Sequence, residues 1–65
     1  MKLFKYSFKE VKITMKNGSV FSGILWRYYR NDDLCRDGDY IYYCGYDGGY
    51  MEEVKPSKVL KVELL

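Results

Sequence analysis

The chain has 65 residues, 48% hydrophobic and 18% aromatic, with 11 Lys and Arg against 9 Asp and Glu, no histidine, and a formal net charge of +2. That length holds one domain, and a domain this small buries only about 60% of the surface its unfolded chain exposes, so its core is marginal. No stretch approaches the roughly 18 consecutive apolar residues of a membrane span, and the lack of histidine removes the commonest general base.

Residues 2–8 hold Leu3, Phe4 and Phe8, which form either one face of a short helical turn or an added edge strand. An isolated short helix is weak in water, so a turn here must pack on the rest of the domain. The first predicted strand is Lys9 to Lys16. Val11, Ile13 and Met15 alternate with Lys12, Thr14 and Lys16, a period of two with one apolar face.

Lys16-Asn17-Gly18 then marks a hairpin. A two-residue turn at Asn17-Gly18 pairs Met15 with Val20 and turns Val20, Ser22 and Ile24 inward. A three-residue loop with Gly18 left-handed and a bulge pairs Ile13 with Phe21 and turns Phe21, Gly23 and Leu25 inward. The second is preferred because it buries a Phe and sets Gly23 where a tightly curved strand needs room. A slip of one residue would reverse the whole apolar set.

The second strand continues through Trp26 and Arg27 to about Tyr29. Arg30 to Gly38 reads as a polar connection, with turn chemistry at Asn31-Asp32-Asp33 and Asp37-Gly38. The third strand is Asp39 to Cys44, with Tyr28, Tyr40 and Tyr42 expected to cap the core. Asp47-Gly48 supplies another hairpin turn, and the fourth strand is Tyr50 to Val54. Pro56-Ser57-Lys58 is a short turn of 3₁₀ type, and the fifth strand is Val59 to Leu64, with Val62 and Leu64 inward. Five short antiparallel strands predict an all-β fold: a small, strongly bent SH3-like or OB-like barrel over residues 1–65.

Val11-Lys12-Ile13-Thr14-Met15-Lys16-Asn17-Gly18, followed by Phe21, Gly23 and Leu25, resembles the first signature of Sm-like proteins. Ser57-Lys58-Val59-Leu60-Lys61-Val62-Glu63-Leu64 is similar to the last strand of small bacterial and phage members of that group. The resemblance covers about half the chain. It implies a five-stranded, strongly bent SH3-like barrel, ring assembly through the last two strands, and RNA binding at a pore. The family pattern has an Asp near the position of Tyr29 and a Met-Asn pair in the following loop, both absent here. Its basic pair before the last strand is replaced by Lys55-Pro56-Ser57-Lys58. No RNA-contacting residue carries over one for one.

Catalysis has no positive sign. Asp32, Asp33, Asp37 and Asp39 lie in or beside turns, where aspartate serves turn geometry. No phosphate-binding glycine loop or ordered cation loop is present. Cys35 and Cys44, with no histidine, do not make a four-ligand zinc site. The N-terminus, Met1-Lys2-Leu3-Phe4-Lys5-Tyr6, lacks the apolar segment of a secretory signal. A cytoplasmic chain with two free thiols and no cofactor is expected.

The binding chemistry lies in the rings and charges. Eight tyrosines and Trp26 exceed what a core this small can hold. Trp26, Tyr29, Tyr43 and Tyr46 are the expected outer anchors, with Asp32, Asp33, Asp37 and Asp39 around them. Residues 31–54 hold seven acids against Arg36 alone, so they repel phosphate and attract a basic protein surface. The leading expectation is a non-enzymatic interaction module that self-associates and binds a basic protein partner. With the family resemblance, it fits a phage-type inhibitor of a host nucleic-acid-binding complex. The alternative is an oligomeric binder of RNA, single-stranded DNA or nucleotide that gathers Arg27, Arg30, Lys55 and Lys58 around a pore.

Overall fold

The computed structural model describes residues 2–29 and 40–65, with the backbone alone at Tyr29. The expectations at Arg30, Asn31, Asp32, Asp33, Cys35, Asp37, Gly38 and Asp39 lie outside the described residues. Five strands follow in chain order: β1 (Glu10–Met15), β2 (Val20–Tyr29), β3 (Tyr40–Gly45), β4 (Met51–Val54) and β5 (Val59–Leu64). One 3₁₀ turn, Phe4–Tyr6, precedes β1, and another, Pro56–Lys58, joins β4 to β5. They form a single antiparallel sheet in the order β4-β3-β2-β1-β5.

The hairpin takes the three-residue form. Ile13 pairs with Phe21. The Met15 N–H donates to the Ser19 carbonyl at 2.8 Å and the Gly18 N–H to the Met15 carbonyl at 3.0 Å. Gly18 has φ +93°, the left-handed position that glycine tolerates. The Asn17 side-chain oxygen accepts from the Ser19 N–H at 2.9 Å, an Asx-type closure of the same loop. This register sends Val11, Ile13, Met15 and Leu25 to one face, where Tyr42, Cys44, Val54 and Val59 join them. Each fully buried aliphatic there contributes about 1.5–3 kcal/mol.

Gly23 is needed for a close approach of backbones. A Cβ placed on it would stand 2.7 Å from the Gly45 Cα, and its φ is +154°.

The barrel expectation is corrected by the ladder itself. β4 and β5 are the two edges, and the sheet is neither closed nor strongly curled. Closure requires those edges to pair. β4 has only four residues and bonds to β3, while β5 bonds to β1 with a register shift at Thr14 and Met15. The Pro56–Lys58 turn carries the chain from one edge to the other without a ladder between them.

At the N-terminus the chain forms the helical turn rather than an added strand. Leu3 enters the core from it, while Phe4 and Phe8 stay half exposed. Phe8 has φ +63°, an uncommon conformation for a residue with a side chain. Its N–H donates to the Leu25 carbonyl at 2.6 Å, and the Leu25 N–H donates to the Lys9 carbonyl at 3.1 Å. Two residues thus oppose one, which is the pattern of a bulge.

Two expected core residues are displaced. Tyr28 is exposed, because the inward positions of β2 are Gly23, Leu25 and Arg27, and Tyr28 falls between them. Leu64, the last residue of edge strand β5, is exposed although it pairs with the buried Val11. Tyr42 is buried and Tyr40 packs half-buried against the core, as expected.

Candidate functional site

Strand alternation places Ile24, Trp26 and Tyr28 of β2 on the outer face. The cross-strand pairs Trp26 with Tyr43, Tyr28 with Ile41, and Gly45 with Met51 bring the outer residues of β3 and β4 alongside. A shallow cavity of about 420 Å³ opens between Tyr28, Ile41, Tyr43 and Met51. The rings of Tyr28 and Tyr43 meet edge to face, with centroids 5.6 Å apart and planes at 76°. Trp26 is fixed by its indole N–H, which donates to the Gly45 carbonyl at 3.0 Å. The row is therefore held by one hydrogen bond and one ring contact. Glu53, opposite Tyr43 on β4, sets a carboxylate at its margin.

Of the expected anchors, Trp26 and Tyr43 stand together on this face. Tyr46 does not join them in the row. It lies in the β3–β4 hairpin, where the Gly49 N–H donates to the Tyr46 carbonyl at 2.9 Å and Gly48 has φ +82°. The Tyr46 hydroxyl donates to the Glu10 carboxylate at 2.5 Å. That hydrogen bond first, then burial and the Glu10 charge, raises the Tyr46 hydroxyl above its ordinary range. Tyr28, Ile41 and Met51 were missed by the sequence reading. Counting by two from Trp26 would have found Tyr28, since residues two apart share a face.

The basic set is divided. Arg27 lies on the inner side, where its guanidinium carbon stands 4.3 Å from the Phe4 ring centre, 5.0 Å from Tyr40 and 5.4 Å from Phe8. Burial pushes the neighbouring Tyr42 hydroxyl up, while the Arg27 charge pulls it down. Lys55 follows β4, and Lys58 lies at the hairpin end, its carbonyl accepting from the Lys16 N–H at 2.8 Å. Arg27 is seven residues along β2 from Val20, the first residue past that hairpin. At about 3.3 Å per residue, this separates Arg27 from Lys58 by roughly 20 Å along the sheet. Arg27 and Lys58 do not form one basic patch.

Among the described residues, no group of three or more His, Cys, Asp or Glu could hold a metal ion, and no helix is long and apolar enough to cross a membrane. Cys44 is a buried free thiol. No family model, curated protein or solved structure matches this chain. With the open sheet, this corrects the Sm-like and SH3-like assignment. Alternating apolar residues around Lys16-Asn17-Gly18 are what any tight hairpin with one buried face requires. What stands is a small, mostly β domain.

Proposed function

We propose that this chain is a non-enzymatic β-sheet module that binds a protein partner through the outer face of β2, β3 and β4. The observation that carries this reading is the aromatic row of Trp26, Tyr43 and Tyr28, flanked by Ile41 and Met51. Aromatic and Met side chains without charge at the centre and with polar groups at the margin are the composition of an interface core. None of these five residues is Lys or Arg, and among the described residues the charge set opposite Tyr43 is Glu53. Nucleic-acid surfaces pair rings with cations, because phosphate neutralisation supplies much of the affinity. A carboxylate margin supports a partner with a basic rim instead. Asp32, Asp33, Asp37 and Asp39 add to the acidic charge of the same stretch of sequence. A cytoplasmic setting, where Cys44 stays a thiol, belongs to the same reading.

The test is affinity capture from an extract of the source cells, with the wild-type chain compared with Tyr28→Arg and Met51→Glu. Both positions lie on the outer face, so the fold should persist and circular dichroism should be unchanged. A partner recovered by wild type and lost by both variants, then shown to bind as a purified protein, supports the reading. Equal recovery and equal affinity with both variants overturns it.

Self-association is favoured by one separate observation. The edge strand β5 and the residue after it carry Leu60, Leu64 and Leu65 exposed to solvent. Free edges with apolar side chains pair readily with another chain.

A further inference from the structure

β2 is longer than the strand beside it. Its β3 ladder begins at Ile24 opposite Gly45, while Val20 to Gly23 are paired on the β1 side only. Antiparallel pairing alternates the direction of successive peptide groups. Met15 bonds to Ser19, so Ser19, Phe21 and Gly23 direct their peptide groups toward β1. The N–H and C=O groups of Val20 and Ser22 therefore point the other way, toward a stretch of sheet edge with no strand beside it among the described residues.

That edge forms one side of a groove of about 380 Å³. Its other side comes from β3, β4 and their hairpin, including Tyr46, Tyr50 and Glu52. It shares no lining residue with the cavity on the aromatic face. The Tyr50 hydroxyl donates to the Glu52 carboxylate at 3.2 Å, and that bond raises the Tyr50 hydroxyl above its ordinary range. Tyr46 holds Glu10 in the same manner. Among the described residues, no Lys or Arg forms an ion pair with Glu10 or Glu52. The groove thus combines a strand edge, two tyrosine rings and the Glu52 carboxylate, which has no ion-pair partner among the described residues.

We infer that this groove takes an extended, basic peptide segment of a partner protein, which joins the free edge of β2 as an added strand and sets a Lys or Arg side chain against Glu52. Main-chain hydrogen bonds supply affinity in such strand addition, and pockets for alternate side chains supply selectivity. Tyrosine faces suit the cation and its aliphatic stem, and the carboxylate completes a charge-assisted hydrogen bond.

The experiment is a titration of the isotope-labelled chain, followed by amide NMR. Three blocked heptapeptides are compared: alternating Thr and Arg, alternating Thr and Glu, and the Thr–Arg peptide methylated at alternate backbone nitrogens. The Thr–Arg peptide is expected to shift the amides of Val20, Ser22 and Tyr50 saturably and to slow hydrogen exchange at Val20 and Ser22. Glu52→Gln, which retains an acceptor for Tyr50, should weaken binding at least about tenfold. The Glu peptide and the methylated peptide should not bind. Equal binding of the methylated peptide would reduce the site to general charge attraction and overturn strand addition. Shifts confined to Tyr28 and Tyr43, or no saturable binding by about 1 mM, would overturn the groove as the site.

Discussion

The Arg27 guanidinium carbon lies 4.3 Å from the centre of the Phe4 ring, so a cation from β2 anchors the N-terminal turn. Tyr40 and Phe8 take further sides of the same group. Such contacts contribute about 0.5–1 kcal/mol at exposed sites and more when water is excluded. Arg27→Ala is expected to lower stability by about 1–2 kcal/mol, measured by urea denaturation. Arg27→Lys should recover only part of this, since a compact ammonium cannot stack as a planar guanidinium does.

The two glycines of the first hairpin should respond differently to alanine. At Gly18 nothing lies within 4 Å of an added Cβ, so Gly18→Ala carries only the left-handed backbone penalty, about 1–2 kcal/mol. Gly23→Ala adds a clash with the Gly45 backbone at 2.7 Å, which no rotamer change relieves. Its cost should exceed that of Gly18→Ala by about 1–3 kcal/mol. Equal costs would mean that β2 and β3 separate freely at that crossing.

Cys44 sets an alkaline limit. Burial raises its thiol pKa in the folded chain. The unfolded chain ionises first, so the contribution is whole below the unfolded pKa and is lost as pH rises through the folded one. Stability should therefore fall from about pH 9 upward. Cys44→Ala in a Cys35→Ser background should flatten the first part of that decline, whatever its cost at neutral pH. Denaturation curves at stepped pH would show it.

The Tyr46 hydroxyl reports its own contact. Glu10→Ala removes both the hydrogen bond and the nearby charge that raise its pKa. Ultraviolet titration should then find one tyrosine moved downward toward the ordinary range. An unchanged titration curve would show that the contact with Glu10 is not held in solution.

Exposed leucines on β5 should govern self-association. Leu60→Lys and Leu64→Lys are expected to lower the average mass in sedimentation at high concentration, with stability changed by less than about 1 kcal/mol. No change in mass for either variant would leave β5 without a role in contacts between copies.

The local parts of this fold were legible because local chemistry determines them. Asn17 and Gly18 marked the turn but allowed two registers; placing Phe21 and Gly23 inward chose the one that sets Ile13 against Phe21, and Pro56 marked the 3₁₀ turn before β5. Closure was not legible, since no single turn decides whether two edges separated by the whole sheet meet. Tyr28 was misplaced because its ring suggested core, while the alternation from Leu25 already pointed it outward. The cluster around Arg27 draws on Phe4, Phe8 and Tyr40 from three parts of the chain, and no spacing within β2 announces it. The groove was hidden for a related reason: it exists only because β3 stops at Gly45 while β2 continues toward Val20.

The pairing of β1 with β5 has a kinetic consequence. The neighbours β1–β2, β2–β3 and β3–β4 are consecutive along the chain, but Val11 meets Leu64 across nearly its whole length. That large loop must close before Val59 can complete the core, and distant pairings of this kind slow folding. The β1–β4 meander should form first and wait with one side of β1 open, making that interval the period in which the chain is most exposed to wrong pairing.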